Sequence, residues 1–182
     1  MTFRIKSTAV EVSFWFAAVL TFLLLFTGNS AAVCFLLCIL HESGHLAAML
    51  FFGSVPRKLE LGYFGMKIVT GSRLLSPRRE IIIAAAGPAV NVLLALLFVI
   101  IGRKQWALMS IALAVFNLMP VPMLDGGRIL AALMHNERTV KTVGIIFSVG
   151  LLILGAVTAV YTKRNFTLLI VSLYLLTGTA IQ

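Results

Sequence analysis

The chain has 182 residues, 60% of them hydrophobic and only 12% charged, with a mean hydropathy of +1.06. That composition excludes a soluble globular domain and leaves an integral membrane protein. The formal net charge of +9 does not point to nucleic acid, because the basic residues gather at the ends of apolar runs and not on one face.

Crossing a bilayer takes about 20 apolar residues. Six candidate spans are predicted, at 8–27, 31–52, 80–101, 105–134 (broken near 120), 143–160 and 166–181. The expected architecture is an all-α polytopic membrane protein, a single transmembrane domain over 1–182, with one short interfacial β-hairpin between spans two and three. No linker, low-complexity tract or internal repeat interrupts it. With the N-terminus in the cytosol, eleven Lys and Arg residues fall inside and four (Arg103, Lys104, Lys163, Arg164) outside. The positive-inside rule then places both termini in the cytosol.

The first span follows Arg4 and Lys6, and its apolar stretch is longer than a signal-peptide core, so it reads as a retained span. Glu11 at its start can snorkel. The second span carries His41-Glu42-Ser43-Gly44-His45. On a helix the two histidines share a face, and two imidazoles at that spacing can hold one zinc ion. Glu42 lies beside them, where a general base for water belongs. Three ionisable groups inside a span are costly, and the default reading of such a cluster is a functional site. Cys34 and Cys38 continue the same stripe. From Cys34 to His45 the helix climbs about 16 Å at roughly 1.5 Å per residue, so the four side chains cannot meet on one ion. The cysteines read as packing residues, and they offer no disulfide framework.

Residues 55–71 alternate apolar and polar around Leu59 and Leu61, then turn at Gly62–Gly65 towards Met66, Ile68 and Val69. The pattern predicts a short hairpin at the cytosolic interface, or an interfacial loop with a snorkelling Tyr63 and Lys67. A hairpin would offer an edge to an extended peptide. In the third span, Ala84-Ala85-Ala86-Gly87-Pro88 allows a neighbouring helix close, and Asn91 is expected to bond across helices or to line a cleft.

A catalytic zinc site usually takes three protein ligands and keeps one position open. Of the six acids, Glu60, Glu80 and Glu137 lie among basic residues. Asp125 does not. It follows Asn117-Leu118-Met119-Pro120-Val121-Pro122-Met123-Leu124 and precedes Gly126-Gly127. The prolines break the fourth span and the glycines permit tight backbone, which is tolerated at membrane depth where it lines a cavity. Asp125 is either the missing ligand or part of a plain turn at a span end. The topology puts it towards the cytosolic side and the histidine pair at mid-depth or in the cytosolic half, so the two can lie at one depth. His135, beyond that loop, reads as a surface residue.

The pair of motifs, His41-Glu42-Ser43-Gly44-His45 and Asn117-x-x-Pro120-x-Pro122-x-x-Asp125-Gly126, with Gly87-Pro88-x-x-Asn91 between them, resembles the site-2 protease family of intramembrane zinc metalloproteases (M50-type). The six-span layout is most similar to the sporulation-type branch, without its CBS domain and without a PDZ insertion. The resemblance implies one Zn²⁺ per chain held by His41, His45 and Asp125, with Glu42 as catalytic acid/base. It implies Asn117, Pro120, Gly126 and Asn91 on the substrate side. It also implies a multi-pass location in a bacterial cell membrane and a membrane-tethered protein substrate: a pro-sigma factor, an anti-sigma factor or a remnant signal peptide. The expected activity is endopeptidase cleavage near the cytosolic face. Two rival classes are a metal-ion transporter and a catalytically inactive membrane chaperone. A transporter needs no Glu beside its histidine and usually shows repeated halves, while the intact Glu42 argues against an inactive relative.

Overall fold

The structure is a computed structural model, and it describes residues 2–5, 8–12, 29–54, 56–62, 65–70, 76–134, 136–162 and 166–181. The body of the expected first span, the tip of the hairpin at 63–64 and His135 lie outside the described residues. The elements are β1 (Thr2–Ile5), β2 (Thr8–Val12), α1 (Asn29–Phe51), β3 (Pro56–Gly62), β4 (Gly65–Thr70), α2 (Pro77–Ile100), α3 (Lys104–Asn117), α4 (Asp125–Met134), α5 (Glu137–Thr162) and α6 (Thr167–Ile181). They form two compact units, Met1–Ala114 and Val115–Gln182.

Three helices, α1, α2 and α5, are long and apolar enough to cross a membrane, and α6 is a shorter apolar helix. Their polarity is inverted relative to a soluble protein. Leu93, Val99, Ile153 and Val160 are more than half exposed, whereas Asn91, Ser110, Ser148, Ser172 and Thr179 are fully buried. An apolar exterior over a partly polar interior is what lipid as solvent selects.

In the first unit the strands form one sheet in the order β1-β2-β3-β4. β1 and β2 are antiparallel, β2 and β3 parallel, and β3 and β4 antiparallel, with Leu59 opposite Ile68 and Gly62 opposite Gly65. Two of these four strands correct the sequence reading. Thr8–Val12 was expected to open a transmembrane helix over 8–27, and it is a strand. Thr8, Val10 and Val12 are β-branched residues on alternate positions, a pattern that suits a pleated surface better than a helix, and Glu11 would have been a charge inside a span. The expectation of helices with one short hairpin widens to helices with a four-stranded sheet.

α1 and α2 each end on a glycine in the left-handed region, Gly53 (φ 68°) and Gly102 (φ 75°). After α1, Ser54 N–H donates to Met49 O and Gly53 N–H to Leu50 O; after α2, Arg103 N–H donates to Phe98 O and Gly102 N–H to Val99 O. Both are Schellman caps, which satisfy the last helical carbonyls where lipid offers no partner. α1 packs closely on α2 because Gly44 faces the main chain: a Cβ there would come 2.8 Å from both Ala86 O and Val90 Cγ2.

In the second unit the chain breaks between α3 and α4 at 118–124, where Pro120 and Pro122 cannot donate to a helical ladder. The break is held by Met119 N–H to Phe116 O, Val121 N–H to Met119 O and Leu124 N–H to Val121 O. Gly126 and Gly127 lie so close to the carbonyls of Leu118, Met119 and Val121 that no Cβ fits at either position. α5 presents Gly144, Ser148, Gly155 and Ala159 as buried small residues, and a Cβ on Gly155 would meet Leu169 N at 2.8 Å. α6 follows this stripe as small-residue packing allows.

Candidate metal centre

His41 and His45 lie one turn apart on α1 and are 4% and 3% exposed. Their rings cross edge to face with centroids 4.8 Å apart, and the two Nε2 atoms are 3.1 Å apart. Two imidazoles on one tetrahedral zinc, with Zn–N of about 2.0–2.1 Å, place their nitrogens about 3.3 Å apart. The observed separation therefore fits a shared ion. The far side of each ring is also engaged. His45 Nδ1 lies 2.7 Å from Ile83 O, and since a carbonyl only accepts, Nδ1 carries the proton and Nε2 keeps its lone pair. His41 Nδ1 lies 3.0 Å from the side-chain amide of Asn91. Partners on the non-ligating nitrogen are a regular part of histidine metal sites, because they fix the tautomer and the ring orientation.

α2 is built to reach this pair. A Cβ on Gly87 would come 2.8 Å from His41 Nε2 and would overlap His45 Nε2, so only glycine leaves the ligating edges clear. Pro88 next to it removes one rung of the helix ladder, one turn beyond Ile83, whose carbonyl takes His45. Asn91, one turn further on, is fully buried, and its main-chain carbonyl accepts from Ser110 Oγ of α3 at 2.8 Å. Glu42 is half-buried beside the histidines.

In the second unit, Asp125 is buried and opens α4, where the helix N-terminus favours a negative charge. Its Oδ1 lies 3.6 Å from Nη1 of Arg128, one turn on and 39% exposed. Asn117 ends α3 half-buried, Pro120 is half-buried in the break, and Gly126 is buried behind Asp125.

The structure therefore brings His41, His45, Gly87 and Asn91 together in the first unit, and Asp125, Gly126 and Arg128 in the second. Sequence reasoning missed two of these contributions. Gly87 was read as helix–helix packing and as part of the Gly87-Pro88-x-x-Asn91 pattern, but not as a residue seated against the histidine rings. Arg128 was counted in the cytosolic charge excess, although its i,i+3 spacing from Asp125 was visible.

Residues 104–157 match the model of peptidase family M50. A Synechocystis sp. protein assigned as a zinc metalloprotease is 28% identical over 146 residues, which cover 74% of this chain and 36% of the relative, so the chain spans about a third of that protein's length. The site-2 protease of Methanocaldococcus jannaschii shares the fold with a TM-score of 0.71 at 22% identity, over 99% of this chain and 93% of that one. The motif of α1, the family-model match over 104–157 and the shared fold all make this chain similar to the M50 peptidases of site-2 protease type.

Proposed function

We propose that this protein is an intramembrane zinc endopeptidase that cleaves a membrane-tethered protein near the cytosolic face. The observation that carries the reading is the pair of buried imidazoles on α1, with Nε2 atoms 3.1 Å apart and both Nδ1 atoms engaged, directly beside a carboxylate.

His41, His45 and Asp125, all three buried, are the ligand set of this proposal. Two imidazoles and a carboxylate are donors that zinc takes in catalytic sites. Bound there, the metal supplies Lewis acidity and lowers the pKa of a ligating water to about 7. Glu42 takes the proton of the attacking water and returns it to the departing amine. Asn117 donates its amide to the oxygen of the scissile carbonyl as charge builds on it. The prolines and the Gly126-Gly127 pair keep the loop before α4 rigid and close to the substrate backbone.

A transmembrane helix hides its carbonyls in its own hydrogen bonds, so a cleavable substrate must open locally. β4 ends the order of the sheet and can pair with an extended segment by strand addition. The apolar runs add six crossings to the proposal, the charge bias adds both termini in the cytosol, and the family resemblance adds a bacterial cell membrane and a pro-sigma factor, an anti-sigma factor or a remnant signal peptide as the substrate class.

The test is Glu42→Gln. The variant keeps its zinc, since the ligands are untouched, and cleaves nothing, since an amide cannot accept the water proton. Substrate that co-purifies with it is then identified by mass spectrometry. Turnover near the wild-type rate would return Glu42 to a structural role and end the proposal.

A further inference from the structure

We infer that Asn91 is a positioning residue for the metal: its side-chain oxygen accepts the Nδ1 proton of His41 and so holds His41 in the tautomer whose Nε2 lone pair is free. The inference rests on the zinc reading above and adds a residue to it.

The two histidines are held by different devices. For His45 the partner is Ile83 O at 2.7 Å, a main-chain acceptor that no substitution removes and that allows only one tautomer. For His41 the partner is a side-chain amide, which has a donor end and an acceptor end. In the structure the nitrogen end faces Nδ1 at 3.0 Å. The oxygen end is buried and has no hydrogen-bond partner. An amide N–H donating to Nδ1 forces the proton of His41 onto Nε2, and a protonated Nε2 cannot ligate. Turning the amide by half a rotation about its last side-chain bond puts the oxygen on Nδ1, moves the ring proton there and frees Nε2. The amide nitrogen then takes the place of the unpaired oxygen.

The contact with His41 Nδ1 can form in either orientation, and the oxygen end gains no partner in the observed one, so the amide's own bonds do not fix that orientation. The ring of His41 decides, and the ring in turn answers to whatever occupies its Nε2 side. Metal and amide are therefore coupled: loading favours oxygen on Nδ1, and oxygen on Nδ1 favours loading. The backbone at Asn91 is fixed for this task. Ser110 Oγ donates to its carbonyl, both residues are fully buried, and Gly87 one turn earlier seats α2 against both rings.

The experiment measures zinc affinity of the full chain in detergent by competition with a chromophoric chelator, for the wild type, Asn91→Leu, Asn91→Asp and His41→Ala. Asn91→Leu keeps the size and loses the acceptor, and it binds zinc about 10- to 100-fold more weakly, the usual cost of removing an outer partner of a ligating histidine. Asn91→Asp is an acceptor only and stays within about threefold of the wild type. A packing role alone predicts the opposite order, because a buried carboxylate disturbs packing more than leucine does. Should Asn91→Leu fail to fold, Asn91→Ser, too short to reach the ring, takes its place. ¹⁵N spectra of labelled histidine give a second reading: in the loaded wild type and Asn91→Asp the proton of His41 sits on Nδ1, and in Asn91→Leu that preference is lost. Wild-type affinity in Asn91→Leu, or an equal loss in Asn91→Asp, overturns the inference and leaves the zinc reading standing. Unchanged zinc affinity in His41→Ala overturns the zinc reading itself.

Discussion

A single methyl group at Gly87 tests the geometry of the histidine pair most directly. In Gly87→Ala the new Cβ lies 2.8 Å from His41 Nε2 and closer still to His45 Nε2, on the edges that point towards a shared ion. Neither ring can simply retreat. His45 is tied to Ile83 and His41 to Asn91, and both residues are buried. Overpacking of this kind costs about 1–3 kcal/mol. Because the methyl occupies the ligating side, relieving it turns the rings away from the geometry a shared ion needs, and the expected loss of zinc affinity is about 5- to 150-fold, at tenfold per roughly 1.4 kcal/mol. Gly44→Ala is the matched control. Its Cβ meets Ala86 O and Val90 Cγ2, each at 2.8 Å, in the same helix pair but away from the rings. It lowers the melting temperature and leaves zinc affinity within about threefold. Chelator competition and thermal unfolding in the same detergent measure both quantities. Equal zinc affinities for the two variants would refute the assignment of Gly87 to the metal site.

Asp125→Ala removes one of three proposed ligands, and elemental analysis should find zinc well below one per chain; full occupancy would remove Asp125 from the set. In the strand-addition reading, the backbone of β4 matters more than its side chains. Ile68→Pro, which removes a donor, should then slow cleavage of a tethered substrate more than Ile68→Ala, with zinc intact in both; equal rates would leave the sheet without a role in presentation. The proposed topology has Ser72 inside and Asn165 outside. In a background lacking Cys34 and Cys38, an impermeant thiol reagent added to whole cells should label a cysteine at Asn165 and not one at Ser72, and the reverse result would invert the topology.

The parts of the site that were legible in the sequence were those in which one rule acts alone. His41 and His45 stand out because helical spacing puts them on one face and because burial of charge in a span has a high cost. The break before Asp125 stands out because two prolines and two glycines leave the backbone little choice. β3 and β4 were readable from their period-two alternation between turn glycines. β2 was not, because an apolar window from 8 to 27 averages a β-branched pentapeptide into the run that follows it. The partner of Asn91 was also hidden. Its spacing from Gly87 puts the two on one face of α2, but nothing in the spacing says that His41 of another helix fills the gap. Arg128 belonged to two patterns at once, the cytosolic charge excess and the i,i+3 pair with Asp125, and the commoner pattern masked the local one.

The α5–α6 pair carries a consequence for how this half of the chain can vary. The hydroxyls of Thr158, Thr162, Ser172, Thr177 and Thr179 all donate to carbonyls of their own helix. They are tucked in against their own backbone and hold nothing across the interface. What brings the helices together is the room left by Gly155, where an added carbon collides with the backbone of Leu169, while Gly144 leaves room for Pro122 of the break before α4. Exchange of hydroxyl for methyl, as in Ser172→Ala, should pass almost unnoticed, while one carbon at Gly155 should force the two helices apart. At the Gly155 contact, volume is the heritable quantity and the hydroxyls of these helices are free to drift.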